Sequence, residues 1–328
     1  MKVLVTGGAG YIGTVVTDQL LNAGHEVVVV DDLSTGHADA VPAAATFHKM
    51  PLSEIADVVT AREGFDAVLH FAGLIAAGES VQRPELYWRA NVAGSIALLA
   101  AIHDARVPRL VFSSSAAVYG NPVSTPITEA ATPAPTSPYG WTKLAIDVAI
   151  GHECAATDLA AVSLRYFNVA GATRRTDGSW LGERHDPETH LIPLALEVAE
   201  GRRGRLQLFG DDYPTRDGTC VRDYIHVEDL ARAHLLALDH ATTGRHAIYN
   251  LGSGRGYTNA EVIDVVRAVT GHPIPVDPVP RRPGDPAELV ASFDRAESEL
   301  GWVPVKPDLA AIVGDAWEFR QSRSSSRA

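Results

Sequence analysis

The sequence predicts an α/β fold: a doubly wound parallel sheet in the first half, then a smaller C-terminal α/β domain with some segments returning to the main sheet. Three observations predict it. Short β-branched runs alternate with segments of helical apolar spacing through the first half. A glycine-rich turn, Gly7–Gly13, separates the first such run from the first helical segment. Beyond Gly171 the pattern loosens into polar loops, short helices and proline-rich links.

In chain order, Lys2–Val5, Val27–Val30, Ala67–Phe71, Leu110–Ser113 and Ala161–Tyr166 read as buried strands, each short, apolar and ending in small or polar residues. Tyr11–Asn22 is a helix with Ile12, Val15, Val16, Leu20 and Leu21 at helical spacing, and Gly24 closes it. Leu86–Ala105 and Pro138–Ala156 are two more helices. Thr173–Glu188 and Phe209–Thr219 read as polar loops and Pro273–Pro286 as a proline-rich link. Tyr224–Val227 and Ala247–Leu251 are expected to be strands that rejoin the main sheet. The expected division is a nucleotide-binding domain over 1–170, a substrate domain over 171–320 and a disordered polar tail over 321–328.

The chain has 328 residues, enough for one large or two medium domains. Its composition, 46% hydrophobic and 21% charged, is that of a soluble globular protein. A net charge of −12 argues against a nucleic-acid or anionic-membrane binder, which needs a basic face. Cys154 and Cys220 lie far apart without ligand spacing, so neither a disulfide nor a metal site is expected. No apolar run approaches the ~18 residues that span a bilayer, and no signal-peptide core follows Met1, so a cytoplasmic location is expected.

Glycines at 7, 10 and 13 permit a tight turn, close approach of a pyrophosphate, and close packing of helix on sheet. The helix that starts at Tyr11 and Ile12 offers backbone N–H groups to phosphates. Asp31, at the end of the second strand, would accept hydrogen bonds from adenosine ribose hydroxyls and repel a 2′-phosphate, which favours NAD over NADP. Asp32 follows it. Phe71-Ala72-Gly73 ends a later strand in small residues, against which a flat cofactor can lie. Asn91 falls inside a helix, where Asn is disfavoured, and a side-chain bridge to neighbouring backbone would explain it.

Ser137-Pro138-Tyr139-Gly140-Trp141-Thr142-Lys143 places a phenol and an ammonium four residues apart, on one face of a helix. A cation there is expected to favour tyrosinate and lower the phenol from its usual value of about 10. Such a phenol can take a proton from an alcohol near neutral pH.

Together, Gly7–Gly13, Asp31–His37, His70–Gly73, Gly78-Glu79-Ser80-Val81, Ser113–Gly120, Ser137–Lys143 and Leu164–Asn168 resemble the extended short-chain dehydrogenase/reductase proteins, which are built on a Rossmann sheet. Gly218–Val227 and Arg281–Asp285 narrow the likeness to nucleotide-sugar epimerases, and the chain resembles the UDP-glucose 4-epimerase family in order from Met1 to about Phe319. The resemblance implies an isomerase of galactose metabolism that interconverts UDP-galactose and UDP-glucose by transient oxidation at C4 with tightly bound NAD. It implies that Tyr139 removes the 4-hydroxyl proton, that Lys143 bonds the nicotinamide ribose, and that Ser115 hydrogen-bonds the reacting oxygen. Cofactor contacts are implied for Gly7, Gly10, Tyr11, Ile12, Gly13, Asp31, Asp32, Leu33, Ser34, Thr35 and Gly36. They are implied also for Phe71, Ala72, Gly73, Asn91, Ser113 and Phe167, beside Tyr139 and Lys143. Arg222 and Arg282 match positions that hold the UDP phosphates, where guanidinium suits paired oxygens. Asn168 matches a phosphate contact, Asp285 a uridine-ribose contact, and Leu191 and Leu289 other substrate contacts.

The chain departs from the family pattern in places. Ala117 stands where Thr often occurs, His48–Leu52 replaces an adenine-contacting acid, and Ile75 replaces a lysine that contacts pyrophosphate. Leu289 falls where some relatives carry a large Tyr, so UDP-N-acetylglucosamine is an alternative substrate. A 4,6-dehydratase of this fold needs an Asp-Glu pair where Ala116-Ala117 stands, and a non-catalytic NAD sensor typically loses the Tyr or Lys. Leu86–Ala105 and Pro138–Ala156 are expected to form a homodimer interface of four helices.

Overall fold

The computed structural model describes residues 1–282 and 284–325. The first half runs β1 (Lys2–Thr6), α1 (Tyr11–Asn22), β2 (Glu26–Asp31), β3 (Thr46–Lys49), β4 (Ala67–His70), α2 (Ala77–Gln82) and α3 (Pro84–Tyr87). It continues through α4 (Gly94–Ala105), β5 (Arg109–Ser115), α5 (Pro138–Ala156) and β6 (Ala160–Tyr166). Then come β7 (Asn168–Ala170), β8 (Ala172–Arg174), β9 (Trp180–Gly182), α6 (Leu191–Ala199), β10 (Leu206–Phe209), β11 (Val221–His226) and α7 (Val227–His240). The last elements are β12 (His246–Leu251), β13 (Gly256–Thr258), α8 (Asn259–Thr270), β14 (Val276–Val279), β15 (Glu288–Leu289), α9 (Asp294–Leu300) and α10 (Leu309–Ser325).

Seven strands form a parallel sheet in the order β12-β6-β5-β4-β1-β2-β3. Its central strands are largely apolar and buried because both faces are covered, whereas edge strand β3 is mostly exposed. Val3 and Val5 of β1 join a core with α1 and α7, whereas Leu4 between them joins the opposite core with α4 and α5. The chain leaves β1 toward β2 on one side and meets β4 on the other. In open sheets of this kind ligands bind beyond the carboxyl ends of the strands at that reversal. The doubly wound fold class therefore stands.

Several expectations change. Ala247–Leu251 does rejoin the main sheet, as β12 beside β6. Tyr224–Val227 does not: Tyr224 lies in β11, which pairs with β7, β13 and β15 in a second sheet, and Val227 opens α7. The loop 173–188 contains the β8–β9 hairpin, whose turn is set by Asp177 accepting from the Ser179 N–H and by Gly178 at φ +85°. The helix expected over Leu86–Ala105 is interrupted by a π-helical turn at Trp88–Ala93. The tail begins later than expected: α10 continues to Ser325, with the Arg323 guanidinium 5.8 Å from the Phe319 ring centre, and Ser326–Ala328 lie outside the described residues. No helix among the described residues is long and apolar enough to cross a membrane.

Candidate active site

Two glycines let the cofactor side close. At Gly7 (φ +71°) a Cβ would come within 2.5 Å of the Ala72 nitrogen, and at Gly13 within 2.2 Å of the Gly7 oxygen, so the turn, α1 and the end of β4 pack backbone to backbone. The face of Gly10 meets only the Gly7 oxygen, at 3.3 Å, and is otherwise open. A cleft runs from there past Tyr11, Thr14, Thr35 and His37. Tyr11 itself is spent on packing, its hydroxyl donating to the Gly171 carbonyl at 2.7 Å, so its offer to a phosphate is its backbone N–H.

Asp31 is buried at the end of β2 and accepts from the Ala9 and Leu33 N–H groups, one on each oxygen. Each oxygen keeps a further lone pair for a ribose hydroxyl. Burial raises this carboxyl above its ordinary value, and the two N–H groups oppose that. Leu33 sits at φ +61°, and Asp32 caps the Ser34 N–H, so the segment from Asp32 to Gly36 forms a turn around the carboxylate. The open glycine face, the helix N-terminus and the buried acid fit a dinucleotide with a free 2′-hydroxyl.

Asn91 makes the bridge its position calls for. Its Oδ1 accepts from the Leu74 N–H at 2.8 Å, and its Nδ2 donates to the Leu74 carbonyl and to Thr142. It thereby ties the strand of Gly73 to α5 from within the π-helical turn.

Helix α5 starts with Ser137 accepting from the Gly140 N–H and Pro138 in the first turn. Tyr139, half-buried, and Lys143, buried, share one face of the helix. The Lys143 ammonium donates to the Ser113 carbonyl at 2.8 Å and sits 4.9 Å from the Phe112 ring centre and 5.9 Å from that of Tyr139. Ser115, at the end of β5, accepts from the Ala117 N–H, and its hydroxyl lies beside the Tyr139 phenol and pulls it down. The Ser113 hydroxyl is taken by the Tyr166 hydroxyl, so only its backbone faces the site.

The expected lowering of the phenol by Lys143 is not found in the protein alone. Burial pushes Tyr139 up, and the opposing pull comes from the Ser115 hydrogen bond. The reason is distance and desolvation: the ammonium points to the Ser113 carbonyl, and the protein packed around the phenol disfavours its charged form. Burial also holds Lys143 down to about 8, against the pull of Asp147.

Sequence reading overlooked the layer beneath. Ser80 accepts from the Tyr139 N–H at 3.1 Å and donates to the Ala77 carbonyl, fixing the start of α5. Asp147, one turn beyond Lys143, pairs with buried Arg165 at 2.9 Å and accepts from Ser114. Asp147 follows Tyr139 and Lys143 at four-residue spacing, which is the signal that would have found it.

The residues expected to hold the substrate gather around the second sheet. Arg222 and Leu289 are direct partners in the β11–β15 register. Arg222 is buried, donates to the Val221 and Pro286 carbonyls, and lies 3.5 Å from the Asp285 carboxylate. Leu289 packs on the cluster of Ala116, Tyr119 and Phe167 that follows Ser115. Asn168 opens β7 opposite Tyr224. Leu191 opens α6 and packs on a separate core formed by α6, α8 and α10. Arg282 stands apart from Arg222 in its contacts, its guanidinium 3.9 Å over the exposed side of Phe209. Thr136, just before α5, donates to the Gly284 carbonyl and so links the arginine loop to the helix of Tyr139.

One cluster was not foreseen: Glu183, His185, Glu188 and His190 converge between β9 and α6. The expectation of no metal site rested on cysteine spacing, which says nothing of this E-x-H-x-x-E-x-H pattern.

The family model of the NAD dependent epimerase/dehydratase family matches residues 3–252. The chain is 55% identical over 326 residues to a UDP-glucose 4-epimerase of Streptomyces lividans, covering 98% of this chain and 96% of that one. It is 52% identical over 319 residues to a UDP-glucose 4-epimerase of Corynebacterium glutamicum, covering 97% and 95%. The solved UDP-glucose 4-epimerase of Bifidobacterium longum, in complex with NAD+ and UDP, superposes with a TM-score of 0.92 at 37% identity, covering 99% of both chains. The chain belongs to the NAD dependent epimerase/dehydratase family.

Proposed function

We propose that this chain is an isomerase that interconverts UDP-glucose and UDP-galactose through transient oxidation at C4 of the sugar. The observation that carries the reading is the half-buried Tyr139 in the first turn of α5, beside Ser115 at the carboxyl end of β5 and followed one turn later by the buried Lys143. The comparisons supply the substrate class and the cofactor, NAD.

The chemistry that NAD supplies when bound is reversible two-electron oxidation of the sugar carbon, together with positive charge near the phenol. Gly7, Gly10 and Gly13 let it approach, the N–H groups of Tyr11 and Ile12 meet its phosphates, and Asp31 takes its ribose hydroxyls. Tyr139 Oη takes the proton of the sugar 4-hydroxyl and later returns it. Ser115 holds the reacting oxygen against Tyr139. Lys143 keeps a cation on the same helix face, so the phenolate gains a partner when it forms. Arg222 and Arg282 clamp the diphosphate, Asn168 reaches a phosphate, and Asp285 takes the uridine ribose. Inversion follows because the planar 4-keto sugar turns over within the pocket and then takes the hydride on its other face.

Purified protein given UDP-galactose without added NAD is expected to yield UDP-glucose. Recovery of unchanged UDP-galactose from protein shown to hold NAD would overturn the reading.

The proposal includes a cytoplasmic homodimer. Trp88, Ile96, Trp141 and Val148 are exposed on the α3–α5 region, an apolar set that a second copy would cover. Sedimentation is expected to give a dimer at micromolar concentration, and a monomer alone would contradict it.

A further inference from the structure

We propose that Glu183, His185, Glu188 and His190 bind one Zn2+ ion that fastens the segment between β9 and α6. His190 is the N-cap of α6, Glu183 follows β9, and the other two lie on the turn between. One donor atom from each residue lies within 4.8 Å of all the others. His185 Nδ1 is 2.9 Å and His190 Nδ1 2.6 Å from the same Glu183 Oε1, and His190 Nδ1 is 3.3 Å from Glu188 Oε1. Tetrahedral zinc with bonds of about 2.0–2.2 Å holds its donors roughly 3.3–3.6 Å apart. The tightest pair therefore opens by less than about 1 Å to admit the ion, and the widest closes by only slightly more.

The donors are arranged as a ligand shell, not as a solvated acidic patch. The carboxylate side chains are 7% (Glu183) and 5% (Glu188) exposed, and their ion pairs are with the two imidazoles. Buried carboxylates need compensating charge. Two carboxylates, two neutral imidazoles and one divalent cation sum to zero. Glu188 Oε1 also accepts from the Thr189 and His190 N–H groups, at 2.7 and 2.9 Å, which fixes its orientation as outer hydrogen bonds do around metal ligands. Two nitrogen and two oxygen donors suit zinc better than magnesium or calcium, which prefer all-oxygen shells. Four protein donors fill a tetrahedron, so the ion would be structural and would not bind substrate.

Its place in the fold gives it a task. His185 lines the same cleft as Gly10, Tyr11 and Thr35. The Arg184 carbonyl, between two of the donors, hydrogen-bonds His37 at 2.8 Å. Leu191, the next residue after His190, opens the helix on the substrate side. A metal at this point joins the cofactor turn to that helix.

The test uses the full chain without a polyhistidine tag. Dialysed against Co2+, the wild type is expected to take up one equivalent per chain with the intense visible band of tetrahedral cobalt, and Zn2+ is expected to bleach it. His185→Asn and Glu188→Gln are expected to lose the band, while His272→Asn, at an exposed position just past α8, keeps it. Absence of the band in the wild type, or its persistence in both ligand variants, overturns the proposal. The wild-type titration needs no variant, so a misfolded substitution does not shield the idea.

Discussion

On the side of the base, Lys143, Asp147 and Ser80 are buried and each is held by a neighbour. Lys143 meets the Ser113 carbonyl, Asp147 meets Arg165 and Ser114, and the Tyr139 N–H meets Ser80. On the phosphate side, Arg222 is anchored through Val221 and Pro286 but Arg282 lies over Phe209 on an exposed loop. The first region is built on α5 against the ends of the neighbouring strands β5 and β6, with Ser80 of α2 at its start. The second needs β11, β15 and the loop before β15 to meet. A proton-transfer group tuned by burial cannot shift without losing its environment, whereas a diphosphate clamp can close on its ligand. The difference predicts that changes on the first side strike turnover and stability, and changes on the second strike affinity.

Tyr139→Phe should test this hardest. It removes the proton carrier and leaves the ring, so kcat should fall by about 10³-fold, within the usual range for a positioned acid or base. Thermal stability should hardly change; a comparable loss of folded protein would mean that the hydroxyl is structural. Asp147→Ala leaves the Arg165 guanidinium buried without its carboxylate, and a loss of about 3–5 kcal/mol is expected from denaturant unfolding. Arg222→Ala should raise KM by roughly 10- to 100-fold, the worth of one charge-assisted contact, with kcat changed far less. An equal fall in kcat would place Arg222 on the wrong side of the comparison.

The pH dependence is a finer probe. Lys143 is held to about 8 in the fold against an ordinary 10.5. Between those values the unfolded chain binds the proton and the native chain does not, so stability rises with pH across that window. Relative to Lys143→Met, the wild type should therefore gain stability from about pH 8 to 10.5 and show its full deficit below pH 8. A flat difference would mean that the ammonium is not desolvated. The smallest effect concerns the sugar pocket. Leu289→Tyr should reduce turnover of UDP-N-acetylglucosamine while sparing UDP-glucose, and no turnover of the N-acetyl sugar by the wild type would remove that alternative.

Local features were the legible ones. The glycine turn, Asp31, and the Tyr139–Lys143 spacing each lie within a single strand–helix unit, and the structure places them where that unit must put them. The bridging role of Asn91 was legible because a helix interior disfavours Asn. The direction of the Tyr139 shift was not, because burial is a property of the surrounding fold and outweighs a cation 5.9 Å from the ring centre. Tyr224 shows the same limit: its apolar run reads as any buried strand, and only long-range pairing with Asn168 assigns it to the second sheet. Nor does sequence spacing reveal that Arg222 faces Leu289, since that register joins segments 67 residues apart.

The central claim is that Tyr139 moves only the hydroxyl proton while the hydrogen on C4 never exchanges with water. UDP-galactose carrying deuterium at C4, turned over in ordinary water, tests it directly. The product UDP-glucose should retain the deuterium at C4. Replacement of that deuterium by solvent hydrogen would contradict the account.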